Sequence, residues 1–236
     1  MDVEHFDLPV AVTLRIQSRS GKVDVIAEPR EDVLVEGDGF DAREADGGAT
    51  LELRSGRGGS KQITVRCPIG TDVAIGTHSG GIRTSGELGA LSATTMSAHI
   101  EVERADEADL RAGSGNISVG DVRGRIRMNT MSGKIDAGTL GACACGTMSG
   151  SIRIERVIGP FKARTVSGSI EAKCDGEGPI AVKTVSGKVQ IGLPDGTTVA
   201  RRFKTISGRV RCPFPEGDDC RIEAMTVSGA IELVPS

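Results

Sequence analysis

The residues with the strongest claim to chemistry in this chain are two histidines, a Cys-x-Cys pair and a scatter of charged side chains. His78 and His99 stand 21 residues apart, each beside a serine of the same local motif. A metal or acid–base pair would need both imidazoles to converge. Their positions relative to the motif instead read as a partly buried corner histidine, His78, beside an exposed one, His99. Cys143 and Cys145 fall in positions that hold Ile126/Met128 and Phe161/Ala163 in neighbouring copies of a repeat, so they read as small core hydrophobes. Zinc sites usually carry paired Cys-x-x-Cys clusters, and none occurs here. Cys67 and Cys212 each precede proline and read as structural, whereas Cys174 and Cys220 read as the exposed thiols. Asp136, Arg153, Glu171 and Lys134 could line a polysaccharide-cleaving face, but they read as a solvated, charge-balanced surface. No G-x-S-x-G elbow, phosphate-binding loop or H-E-x-x-H pair is present. No catalytic, cofactor-binding or metal site is therefore expected.

The elements that carry these residues come from a repeat. Nine serines anchor it: Ser79, Ser97, Ser114, Ser132, Ser149, Ser167, Ser186, Ser207 and Ser228, spaced 17 to 21 residues apart. Glycine follows each one except at Ala98. Three residues after each serine stands Ile or Val, nine times out of nine, and a second mostly apolar position follows two residues later. The intervening residues are mostly polar. This alternation makes a strand with one buried face. A second apolar pair precedes each serine by six and four residues, as at Ile126/Met128 and Ile180/Val182. A threonine row runs through Thr130, Thr147, Thr165 and Thr184. Each copy thus offers two short strands with Ser-Gly near one corner, and glycine often marks the other, as at Gly141 and Gly159.

The polar position between the two core residues reads Arg83, Glu101, Ser118, Asp136, Arg153, Glu171, Gln190, Arg211 and Glu232. No adjacent copies carry like charge, which suits in-register parallel stacking about 4.8 Å apart. The expected fold is all-β: a single right-handed parallel β-helix of about nine coils, with residues 71–236 as the repeat and residues 1–70 as less regular capping strands. In that cap, Val12–Ile16, Val23–Ile26, Val33–Glu36 and Thr50–Leu53 read as strands, and Asp38–Gly48 and Arg54–Lys61 as charged, Gly-rich loops.

Composition narrows the function. The chain has 236 residues, no Trp or Tyr and only five Phe, so its core must be narrow and aliphatic. Lys plus Arg number 29 against 32 Asp plus Glu, which gives no global footprint for nucleic acid. No apolar run is long enough to span a membrane. The N-terminus lacks a basic and apolar leader, so a cytoplasmic chain with reduced thiols is expected. The chain ends inside a repeat, which predicts an open last coil and end-to-end self-association through it.

Thr165–Ala172 (TVSGSIEA), Thr184–Ile191 (TVSGKVQI) and Thr130–Ala137 (TMSGKIDA) resemble the bacterial β-strand-repeat "putative adhesin" domains of unknown function. Cys67-Pro68-Ile69-Gly70 and Leu193-Pro194-Asp195-Gly196 resemble the same family. The resemblance covers about residue 10 to the end. It implies a non-enzymatic β-helical scaffold or adhesin-like binding module for an unknown protein or glycan. A self-assembling, bactofilin-like element is the second reading and a polysaccharide-active enzyme the third.

Overall fold

A computed structural model describes residues 2–6, 12–55 and 62–236. Among them the regular structure is β-strand apart from one short 3-10 turn at Asp46–Gly48. The chain divides into two compact units, residues 1–120 and 121–236.

The first unit holds β1 (Asp2–Phe6), β2 (Thr13–Ser18), β3 (Val23–Glu28), β4 (Val33–Gly37), β5 (Phe40–Ala45), β6 (Thr50–Ser55), β7 (Ile63–Pro68), β8 (Asp72–Thr77), β9 (Ile82–Thr95) and β10 (Ile100–Ala112). Strand β2 lies between β6 and β8, and β3 lies between β7 and β9, all parallel and in register. The unit's outermost coil is therefore β6–β7, although β2–β3 comes first in the chain. Antiparallel strands close that coil: β5 pairs with β6, β4 with β7, and β1 with β4. Beneath them Leu51, Leu53, Ile63 and Val65 are fully buried. The segment Asp38–Gly48, expected as a loop, contains β5, whose half-buried Phe40 and Ala42 alternate with exposed Asp41 and Arg43. The loop read over 54–61 lies outside the described residues from position 56 onward.

The second unit takes up β11 (Ile117–Ser132), which begins before the boundary, and continues with β12 (Ile135–Ser149), β13 (Ile152–Val157), β14 (Phe161–Ser167), β15 (Ile170–Cys174), β16 (Ile180–Ser186), β17 (Val189–Leu193), β18 (Val199–Ser207), β19 (Val210–Arg211), β20 (Cys220–Ser228) and β21 (Ile231–Pro235). After each anchor serine, β12, β13, β15, β17, β21 and β19 stack parallel in that order. Before each serine, the second half of β12 is followed by β14, β16, β20 and β18. Equivalent core residues lie directly over one another: Ile135 faces Ile152, which faces Ile170. Burying each such side chain contributes about 1.5–3 kcal/mol.

The order of these strands corrects one expectation. The last repeat, β20–β21, sits between β16–β17 and β18–β19, so both of its edges are paired. The open edge belongs to β18–β19. A second correction concerns the far corner. In β9 to β12 the strand runs unbroken through it for 13 to 16 residues. A third set of inward positions lies there, Leu88 and Ala105 in the first unit and Val122, Leu140, Val157, Cys174 and Leu193 in the second, all buried.

Candidate functional site

The anchor glycines explain how close the coils come. A methyl group on Gly150, Gly168, Gly187, Gly229 or Gly208 would overlap the carbonyl of the glycine in the adjacent coil, namely Gly133, Gly150, Gly168, Gly187 and Gly229. Two residues before seven of the nine serines stands a threonine buried at the same corner; the exceptions are Ala112 and the half-buried Thr205. The Thr147 and Thr165 hydroxyls donate to the Gly133 and Gly150 carbonyls at 3.4 and 3.5 Å. The residue between threonine and serine consequently points outward. The sequence predicts a partly buried His78 at this position. Instead His78 is exposed, and the apolar residues of this row form a ridge on the surface.

In the second unit the ridge runs Met131, Met148, Val166, Val185, Val227 and Ile206, in the order in which the coils stack. Each is between 44 % and 83 % exposed. The flanking positions are cationic. From five residues before each serine to two after it, these six coils carry nine Lys or Arg and one acidic residue, Glu223. The equivalent windows around Ser79, Ser97 and Ser114 in the first unit carry one Arg and one Asp.

The sheet face beside the ridge shows what this arrangement costs. Arg164 and Lys183 are direct cross-strand partners, and like charges so placed destabilise a sheet. Lys183 finds Glu223 at 3.8 Å, while Arg127, Lys162 and Arg164 form no ion pair with a described residue. These three cations and Asn129 surround an open depression of about 470 Å³, floored by Ala144 and Gly146 and bounded by Met148. The depression exists because the side chains of its floor are small while those around it are long. No acidic side chain lines it, so a carboxylate, sulfate or phosphate group fits its chemistry. On the opposite side of the coils, charges alternate as expected: Arg153 donates to Glu171 at 3.4 Å and Arg156 to Asp175 at 2.9 Å. Reading the outward positions three and five before each serine reveals the cationic row: Arg127/Asn129, Lys162/Arg164 and Arg202/Lys204.

The remaining singled-out residues are structural. His99 is exposed, and its Nδ1 accepts the Asn116 backbone N–H at 3.0 Å. His5 sits 3.2 Å from Asp32. There the Arg30 guanidinium, helped by His5, holds the Asp32 carboxyl at about 2. Cys143 and Cys145 are buried in the expected inward slots; their mutual hydrogen bond and burial raise the Cys143 thiol. Burial pushes Cys67 up to about 11. Cys174 and Cys220, expected as exposed, are buried, and burial raises both. Cys174 occupies the third inward row opposite Val157, which the two-strand reading of the repeat did not include. Cys212 is half-buried. Among the described residues, no group of three or more His, Cys, Asp and Glu side chains could hold a metal, and no helix is long and apolar enough to cross a membrane.

Comparison with solved structures places the fold. The chain is similar to a "putative adhesin" from Bacteroides fragilis, with a TM-score of 0.51 at 11 % identity over 99 % of this chain and 96 % of that one. A second "putative adhesin", from Parabacteroides distasonis, aligns with a TM-score of 0.41 at 12 % identity over 99 % and 97 % of the two chains. Among curated proteins none matches. At these identities the first likeness bears on fold alone. The family model described as Toastrack DUF4097 matches residues 40–230, most of both units and every serine anchor, and the chain belongs to that family.

Proposed function

We propose that this protein is a non-enzymatic, adhesin-like binding module, and that the cationic ridge of its second unit holds an acidic protein surface. The observation that carries this reading is the charge of Arg127, Lys162 and Arg164 beside the exposed ridge, which no described acidic residue offsets. Arg164 beside Lys183 weakens the sheet, and a partner's carboxylates would turn that repulsion into attraction. The Met and Val side chains add apolar area that a protein can cover, and methionine adapts readily to a partner's shape. A sugar-binding face would call for aromatic platforms, and this face has none. The scaffold under the ridge is read as a right-handed β-helix, the hand favoured when parallel strands are joined by crossovers, with coils that follow the nine serine anchors.

The test compares a synthetic alternating Glu–Leu peptide with poly-glutamate and heparin as immobilised probes. The alternating peptide should bind more tightly than poly-glutamate. It should lose roughly tenfold in affinity in Lys162→Glu/Arg164→Glu and also in Val166→Ser/Val185→Ser. Unchanged binding in both variants overturns the reading. Tighter binding to heparin that ignores Val166→Ser/Val185→Ser overturns it in favour of a glycan.

A further inference from the structure

The outermost coil of the second unit is uncapped. Among the described residues, the outer edge of β18 is paired only at Val199, which bridges Glu216; β19 pairs only with β21. Its core slots are open as well. Arg201 stands in register with the buried Ile222, and Phe203 with the buried Ala224. Yet Arg201 is exposed, Phe203 half-exposed and Val210 44 % exposed. The first unit treats its own outermost coil differently, closing it with β4 and β5 over fully buried leucines. Residues 199–211 carry five cations, Arg201, Arg202, Lys204, Arg209 and Arg211, and no acidic residue. None of the five forms an ion pair with a described residue.

Charged residues alone are a common way to keep an exposed edge from pairing. That role requires no complement elsewhere, whereas this chain contains one. Residues 31–46 carry seven acidic side chains and a single Arg. Among the described residues, strand β5 is paired on one edge only, to β6, and presents exposed Asp41 and Glu44 beside half-exposed Phe40. The imbalance extends to the units. Residues 1–120 hold 20 acidic and 12 basic side chains, net −8; residues 121–236 hold 12 and 17, net +5.

We propose that the open β18–β19 edge of one copy pairs with the open β5 edge of a second copy, in a head-to-tail sheet contact between unlike edges. Backbone hydrogen bonds supply the pairing. Phe203 and Val210 are covered by Phe40 and Ala42, and the cations of one edge meet Asp41 and Glu44 of the other. Because the two surfaces differ, each dimer still offers one free edge of each kind. The edge shares Arg202, Lys204, Arg209 and Ile206 with the end of the ridge, but Arg201 and Arg211 lie outside the ridge window, so a variant at those two tests the edge apart from the ridge.

The experiment is sedimentation velocity on the full chain at low and high salt. Two exposed-residue variants accompany it, Arg201→Ser/Arg211→Ser and Asp41→Ser/Glu44→Ser, each checked for folding by circular dichroism. The wild type should associate with rising concentration, more strongly at low salt. Each variant alone should lose at least tenfold in association constant. An equimolar mixture of the two should form a heterodimer and nothing larger, because only one intact pair of edges remains. A wild type that stays monomeric under all conditions overturns the proposal. Variants that associate as the wild type does also overturn it, as does loss in the basic-edge variant alone, which would assign the edge a different occupant. Peptide binding by the ridge should survive in Arg201→Ser/Arg211→Ser, so failure of either reading leaves the other standing.

Discussion

Glycine serves two purposes in this chain, and only one of them is conformational. Gly70 and Gly196 sit at φ values of 80° and 82°, where an L side chain is strained. The anchor glycines are needed because the next coil's carbonyl occupies the space of a Cβ. That is why Ser-Gly recurs so faithfully while the residue just before it varies among Met, Val and other types: one site is fixed by stacking, the other faces solvent. The cysteines follow the same logic of position. Five of the six are buried and Cys212 is half-buried. At pH 8 the native protein should therefore react with a thiol-specific dye at Cys212 alone, and at all six cysteines once unfolded; two or more fast-reacting native thiols would contradict the burial. The pH dependence has a definite sign. Cys67 titrates near 9.0 when unfolded and at about 11 when folded, so the native state holds that proton more tightly. Its contribution to stability is complete below pH 9 and declines as the pH rises toward 11.

At the scale of strands, the unusual feature is the order of stacking. In the first unit the chain lays down β2–β3, moves outward to β6–β7 and returns to place β8 on the other side of β2. In the second it moves from β16–β17 outward to β18–β19, then inserts β20–β21 into the gap. Each step that skips over a coil is marked by the same turn. Pro68-Ile69-Gly70-Thr71 precedes β8 and Pro194-Asp195-Gly196-Thr197 precedes β18, and in both the threonine hydroxyl donates to the proline carbonyl, at 2.7 and 2.8 Å. Sequence periodicity revealed the strands, their inward faces and their parallel register, because side-chain alternation and charge neighbours are local or repeat along the chain. The swap in order was not legible. Every repeat presents the same aliphatic slots, so β20 fits beside β16 as well as β18 would. The ridge was missed for a related reason: Met148 and Val166 look like core residues until a buried Thr147 or Thr165 fixes the parity of the corner. Placement inside the ladder makes the C-terminal strands the protected ones. Hydrogen exchange should find the amides of residues 220–234 slower on average than those of 199–211 by at least tenfold. The reverse order, with the chain's last residues exchanging first, would rule out the insertion.

For the whole molecule, net charge is a poor guide to behaviour. The chain is acidic overall at −3, with a pI near 5.7, yet its second unit is basic and concentrates nine cations against one anion along the ridge. A charged surface adsorbs through the patch that faces it, and fields from charges farther away than about 10 Å are screened at moderate salt. The protein should therefore bind a cation exchanger at pH 7 and low salt despite its negative net charge. Lys162→Glu/Arg164→Glu should elute at distinctly lower salt. Arg153→Glu/Arg156→Glu changes the net charge by the same amount but removes cations already paired with Glu171 and Asp175, so its elution should move less. Flow-through of the wild type, or equal shifts in the two variants, would mean that the protein responds to its total charge and that the ridge is no distinct surface.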